Sequence, residues 1–339
     1  MSELREGYNP FFLDDEIEVP LPTVGLEQDD DVLRREGLRD GHIADYVHYS
    51  IVMSKSNRQA FFSAANLDQG ALKRVRGRRW FVDSCLGAEN QVGPEAYSRN
   101  VWDRGHLTRR TAVTWGDSSY VAKRASNDSC SYANASFQHE NFNQDEWRVP
   151  EEVVHHFAKD RDDRICVFTG PIFTEIDRWY TRASDDLPVR IPSGFWKMIA
   201  YIGSDSNELE CQSYVMYQDD LFMRDKRGRH SIQPRNYQVT VTEIERLTGL
   251  EFPETLYERN QLFFNPREGI NEGPEAFEAP RSTSPEDLAT GVVFRRVDIE
   301  KPEFAERRRT LSAEEFEIAV TGTRDDLSER APPVRGAEA

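Results

Sequence analysis

Long apolar runs are absent: no stretch approaches the roughly 18 residues a membrane-spanning helix needs. The opening Met1-Ser2-Glu3-Leu4-Arg5-Glu6-Gly7 has no apolar core of a secretory signal, so a cytoplasmic location with no membrane partner is expected. Cysteine is scarce. Four residues, Cys85, Cys130, Cys166 and Cys211, lie far apart, with no CxxC or Cys/His cluster to suggest zinc. Buried reduced thiols are the expectation, although sequence alone leaves a disulfide open. Internal repeats and low-complexity tracts are missing too. Positive charge is in deficit: 43 Lys+Arg against 60 Asp+Glu leave a net charge of −17. On average composition this argues against a nucleic-acid partner, because such proteins are usually basic.

What is present falls into three zones. Residues 1–41 form an acidic N-terminal arm, and the first 50 residues hold thirteen Asp/Glu against four Lys/Arg. Pro20-Leu21-Pro22 and Gln28-Asp29-Asp30-Asp31 make the arm read as extended and mostly solvated. A strap that packs on the domain or shields a basic site is the alternative. Residues 42–270 have globular texture. Tyr49–Met53 and Gln59–Asn66 have strand composition and read as a hairpin. Trp80–Val82 is a short strand candidate. Ile165–Thr169 reads as a strand ended by a turn at Gly170-Pro171. Gly194–Ile202 reads as a long buried strand with Glu210–Tyr217 as its partner. Glu151–Lys159 and Val241–Leu247 are helix candidates, the second capped by Thr240 or Thr242 and stopped by Gly249. Residues 271–339 form an acidic tail expected to be largely flexible, with one short helix at Leu311–Val320. The fold class is α+β with strands dominating.

The charge is not uniform. Residues 58–124 carry twelve Lys/Arg against six Asp/Glu, densest at Lys73-Arg74-Val75-Arg76-Gly77-Arg78-Arg79. Such a run suits phosphate backbones, although a solvated turn is its plainer reading. Downstream, His106 sits among Arg104, Arg109 and Arg110. Neighbouring cations disfavour protonated imidazole, and neutral imidazole is what a general base requires. Arginines also hold phosphodiesters bidentately. Farther on, Asn143, Trp147 and Glu151 are spaced i, i+4, i+8. In a helix Asn143 and Glu151 would lie within about 80° of each other around the axis. One amide oxygen and one carboxylate two turns apart suit a hydrated Mg²⁺, which keeps most of its waters.

These segments resemble the DNA/RNA non-specific endonuclease family with the ββα-metal fold, which includes sugar-nonspecific nucleases and endonuclease G. The family's Asp-Arg-Gly-His stands as Asp103-Arg104-Gly105-His106. Its Ser-Asn-x-Ser-Pro-Gln element matches Ala133-Asn134-Ala135-Ser136-Phe137-Gln138. Its Leu-Asn-Gln-x-x-Trp element matches Phe142-Asn143-Gln144-Asp145-Glu146-Trp147, with Glu151 four residues on. Its Arg-x-Trp-x-x-Asp pattern reads Arg78-Arg79-Trp80-Phe81-Val82-Asp83. His48-Tyr49-Ser50, Phe62–Asp68, Phe168–Pro171 and Ile191–Lys197 are also similar. The resemblance covers roughly residues 42–250 and implies a central antiparallel sheet with flanking helices and a ββα-metal element.

It further implies a Mg²⁺-dependent, sequence-nonspecific endonuclease, with Mn²⁺ as a substitute, acting on DNA, with RNA left open. His106 would be the general base and Asn143 the metal ligand. Glu151 would orient metal waters, Arg78 would clamp the scissile phosphate, and Asn134 would shape the site. Arg104, Arg109 and Arg76 would bind substrate. The products would carry 5′-phosphates. Two departures stand out: Phe137 replaces the family's Pro, and Pro150 falls between Asn143 and Glu151, where it would kink the helix or restart it. Two other readings remain: a nuclease-like nucleic-acid-binding protein with weak turnover, and a phosphodiesterase acting on a small nucleotide. A homodimer and an inhibitory or regulatory partner are further expectations that the sequence leaves open.

Overall fold

A computed structural model of the chain describes residues 4–100, 102–139, 164–175, 177–181, 187–203, 207–218, 237–260, 276–278 and 295–297. The helix expected at Glu151–Lys159, the helix expected at Leu311–Val320, and Asn143, Trp147, Pro150 and Glu151 lie outside the described residues.

The strands are β1 (Thr23–Val24), β2 (Ile43–Tyr46), β3 (Tyr49–Met53), β4 (Ala60–Asp68), β5 (Trp102–His106), β6 (Ala135–His139), β7 (Arg164–Ile172), β8 (Arg178–Tyr180), β9 (Val189–Ile191), β10 (Gly194–Ile202), β11 (Leu209–Tyr217), β12 (Tyr237–Val239), β13 (Leu250–Glu251), β14 (Ala276–Glu278) and β15 (Arg295–Val297). The α-helices among the described residues are α1 (Ser119–Asp128), α2 (Val241–Thr248) and α3 (Glu254–Glu258). Nine strands form one antiparallel sheet in the order β15-β14-β12-β11-β10-β7-β4-β3-β2. The α+β class with a central antiparallel sheet therefore holds. Among the described residues no helix is long and apolar enough to cross a membrane.

The central strands β4, β7, β10 and β11 are buried along nearly their whole length. This is why β7 and β10 read as mostly apolar runs and not as alternation. Tyr49, Ile51, Ala65, Leu67, Ile165, Val167, Ile199 and Tyr201 share a core cluster with Leu107, Ala112, Val113, Ala125 and Ala133. The layer that carries β5, α1 and the 132–134 turn is thus fixed to one face of the sheet by apolar burial. Each buried Val, Leu or Ile among them contributes about 1.5–3 kcal/mol.

Both expected hairpin strands form, as β3 and β4 with a bulge at Val52/Met53. The long strand and its partner form as β10 and β11, in register from Gly194↔Tyr217 to Ile202↔Leu209. Helix α2 is capped as expected: Thr240 Oγ1 accepts from Glu243 N at 3.1 Å, and Gly249 takes the left-handed φ of +69°. Trp80–Val82 yields a single parallel bridge, Phe81↔Ser131, and no strand.

Three expectations are corrected. First, β7 does not end at Gly170-Pro171; it runs through both to Ile172. Pairing with β4 stops at Ser63↔Thr169, while pairing with β10 continues through Gly170, Pro171 and Ile172. The missing proline N–H therefore falls on the side where no strand pairs with it. Second, the arm is a strap packed on the domain and not a mostly solvated leader. Tyr8, Phe12, Leu13, Val19, Val32 and Leu33 are buried, and β1 pairs with β13 in register Thr23↔Glu251. The acidic residues interleave with this apolar set, so the charge average concealed a strap. Third, the acidic tail supplies two strands, β14 and β15, to the sheet edge. All four cysteines are free, but Cys85 is exposed and not buried.

Candidate active site

Strands β5 and β6 form a separate antiparallel pair, with Gly105↔Ser136 and His106↔Ala135 in register. A Cβ at Gly105 would lie 2.1 Å from Cδ of the buried Gln138, so a larger residue there requires that side chain to move. Trp102 and Phe137 of the pair join a second cluster with Val92, Val189 and Ile191. Phe137 is fully buried, stacked on Trp102 at 5.9 Å and edge-on to Tyr97 at 4.7 Å. The departure from the family's Pro is thus an aromatic that fills this cluster. The same cluster includes β9, whose hairpin with β8 has no clear signature in the sequence.

Alternation along β5 puts Trp102, Arg104 and His106 on one face. His106 ends the strand. Its ring lies 4.6 Å from that of Trp80, and its Nε2 lies 4.0 Å from Cys130 Sγ. Arg104 is exposed, and its guanidinium stands 5.3 Å from the Trp80 ring. Trp80 also meets Tyr132 at 5.5 Å. One tryptophan therefore braces the histidine and an arginine together. Burial, followed by the charges of Arg78, Arg110, Arg104 and Arg109, pushes the His106 pKa down to about 3. Every cause acts in the same direction, so the imidazole is neutral at ordinary pH.

Asn134 is fully buried, and its amide is committed. Nδ2 donates to Thr108 O at 2.8 Å and Ser129 O at 2.9 Å, and Oδ1 accepts from Thr108 N at 2.9 Å. Leu107 N donates to Asn134 O at 3.0 Å. This residue pins the chain immediately after His106 to the end of α1. Helix α1, unmarked in the sequence reading, is capped by Ser118, which accepts from Val121 N at 3.2 Å.

The structure thus gathers Arg78, Arg104 and Arg109 around His106, with Asn134 beneath. Arg110, Trp80 and Cys130 join them without having been assigned roles from sequence. Arg76 is exposed, and its carbonyl accepts from Lys123 Nζ. Asn143 and Glu151 lie outside the described residues. Strand β6 ends at His139, four residues before Asn143. Among the described residues no group of three His, Cys, Asp or Glu could hold a metal ion.

Another histidine offers a contrast. His48 stacks on Trp115 at 3.4 Å, and its Nε2 lies 3.2 Å from Trp115 O. Its pKa is lowered to about 4 by burial, while the Trp115 carbonyl and Asp68 pull it upward.

The family model of the DNA/RNA non-specific endonucleases matches residues 35–259. The chain belongs to that family. It is similar to the uncharacterized protein y4fB of Sinorhizobium fredii, at 33% identity over 274 residues, covering 74% of this chain. It spans 39% of that relative's length. Among solved structures it is similar to one titled as the EndoG/EndoGI complex and the mechanism of EndoG inhibition. There the identity is 20% and the TM-score 0.48, covering 62% of this chain and 85% of the other.

Proposed function

We propose that this member of the DNA/RNA non-specific endonuclease family is a divalent-metal-dependent endonuclease that hydrolyses phosphodiester bonds of DNA without reading sequence, with RNA as the second substrate to test. The observation that carries the reading is His106, kept neutral by burial and four arginines beside the exposed face of β5. A neutral imidazole can take a proton from water, and the arginines that suppress its charge also attract the phosphodiester. With Nε2 turned to Cys130, Nδ1 is the nitrogen left for that water. Arg78 and Arg104 hold the phosphate, and Arg78 stabilises charge that grows on it. Asn134 acts as a positioning residue, since its whole amide is spent on the chain around His106.

The donor set fits a hydrated cation and not a protein cage. The field around His106 is cationic, so a metal there depends on the charge of the substrate's phosphate. Asn143 would be its protein ligand and Glu151 would orient its water. When bound, such an ion supplies charge stabilisation at the phosphate and the leaving oxygen. Mg²⁺ suits an oxygen donor set rich in water, with Mn²⁺ as a substitute. Phosphate contacts dominate binding, so affinity falls steeply with salt.

The test is cleavage of plasmid DNA and of RNA by wild type and His106→Ala, with Mg²⁺ and with EDTA. Cleavage by wild type only, abolished by EDTA and leaving 5′-phosphate ends, is the expected result. Equal activity of His106→Ala would sink the mechanism.

A further inference from the structure

Asp83 and Asp128 are 4% and 3% exposed. Asp83 closes the segment that carries Arg78 and Trp80. Asp128 is the last residue of α1, where the terminal helix carbonyls already make the potential negative. Two buried carboxylates require a cation. The cation that reaches both comes from the N-terminal arm, while Arg124 Nη2 stands 4.0 Å from Asp128 Oδ1 alone. Arg5 donates from Nε to Asp128 Oδ2 at 3.0 Å, from Nη2 to Asp128 Oδ1 at 3.1 Å, and from Nη1 to Asp83 Oδ2 at 3.0 Å. Its guanidinium also lies 4.7 Å from the Tyr46 ring. Tyr46 stacks on Tyr49 at 4.7 Å, and the Tyr49 hydroxyl donates to Asp128 O at 2.7 Å. The planar fork of arginine serves both acids at once, which the single ammonium of lysine does not reproduce.

The place of this clamp matters. Phe81 N donates to Cys130 O at 3.1 Å, and Tyr132 N donates to Phe81 O at 3.0 Å. Asp83 lies two residues past Phe81, and Asp128 two residues before Cys130. Arg5 therefore ties the two chain segments just outside the bridge that sets Trp80 and Cys130 against His106. The far end of the loop is held where Lys73 N meets Thr114 O at 2.8 Å, and its middle by Lys123 beneath Arg76 and Gly77. Arg78 itself is exposed, so its position follows from how the loop ends are fixed.

We propose that Arg5 is a positioning residue of the nuclease site, which sets the Arg78–Trp80 segment against His106 by clamping Asp83 to Asp128. The proposal rests on the reading of Arg78 as the phosphate clamp. It makes the acidic arm part of the catalytic architecture and not a leader.

The experiment is a double-mutant cycle on DNA cleavage in Mg²⁺, with Arg5→Gln, Arg78→Ala and the pair, together with thermal unfolding of each. Arg5→Gln is expected to lower kcat about 10- to 100-fold, the range that small misplacements of catalytic groups produce. It should also move the acid limb of the pH–rate profile upward, because a retreating Arg78 lowers the His106 pKa less. In the Arg78→Ala background the same change should cost less than about threefold, as expected for coupled residues. Arg5→Lys keeps the charge and should fall between wild type and Arg5→Gln; it replaces Arg5→Gln in the cycle if that variant does not fold. An equal fold-loss in both backgrounds, or wild-type kcat in Arg5→Gln and Arg5→Lys, would overturn the proposal alone. Wild-type activity in Arg78→Ala would overturn the reading of Arg78 and the proposal with it.

Discussion

His48 and His106 both have strongly lowered pKa values, about 4 and about 3, yet they sit in opposite environments. At His48 the neighbours resist the shift. A backbone carbonyl and Asp68 favour the cation, and burial outweighs them. The ring is stacked on Trp115 and hydrogen-bonded, as a packed side chain should be. At His106 the causes all act together: four arginines add to burial, and Cys130 Sγ stands 4.0 Å from Nε2. A depressed pKa therefore does not mark the base. The sign of its causes does, because a site built for a phosphate surrounds its base with cations.

The contrast can be broken at several points. His106→Ala should lower kcat by about 10³-fold, within the range for losing a general base, with little change in unfolding temperature. Initial rates and melting curves on the same preparation check this. Arg78→Ala should cost about 10²-fold in kcat by loss of charge stabilisation. It should also shift the acid limb of the rate profile to higher pH. The sign follows from the cation's effect: Arg78 holds the His106 pKa down, so removing it raises that pKa, and protonation of the base begins at higher pH. Arg104→Ala should reduce the slope of log affinity against log salt by about 1, read from binding titrations in Ca²⁺ at several salt concentrations.

His48 should behave in the opposite way. His48→Asn should leave kcat within about twofold and destabilise the fold by about 1–2 kcal/mol through lost stacking and hydrogen bonding. The pH dependence of stability supplies a further check. The folded-state pKa lies below the unfolded value near 6.5, so the unfolded chain binds more protons between the two. Stability is then fully present above about pH 6.5 and declines as pH falls toward about 4, by on the order of 3 kcal/mol. A His48→Asn protein should show a flatter unfolding temperature across that window; an unchanged slope would remove His48 as its source.

The site was legible from sequence where chemistry is local. Asp103 to His106 is a contiguous string, and the arginines around it lie within one basic segment. The apolar runs at 165–169 and 194–202 announced buried strands for the same reason. Charge averaging failed for the arm: Tyr8, the short run Phe11-Phe12-Leu13 and Val19 stand among acids, and they form no periodic face. Turn chemistry failed at Gly170-Pro171, because whether a proline can remain in a strand depends on which neighbour pairs there. Arg5 was illegible in principle. Its partners stand 78 and 123 residues away, and no local pattern reports a contact at that range.

The pairing of Thr23–Val24 with Leu250–Glu251 has a consequence for how the chain is made. Gln28 reinforces it by donating to Thr248 O at 2.8 Å. A strand completed near the start of synthesis must wait for one made more than two hundred residues later. Closing so long a loop is among the slower events of folding. Ribosome-bound chains shorter than about residue 251 therefore lack the final latch. The Arg5 clamp lies in the same N-terminal segment, but its partners Asp83 and Asp128 are made well before residue 250, so the loop above His106 can be aligned before the latch closes.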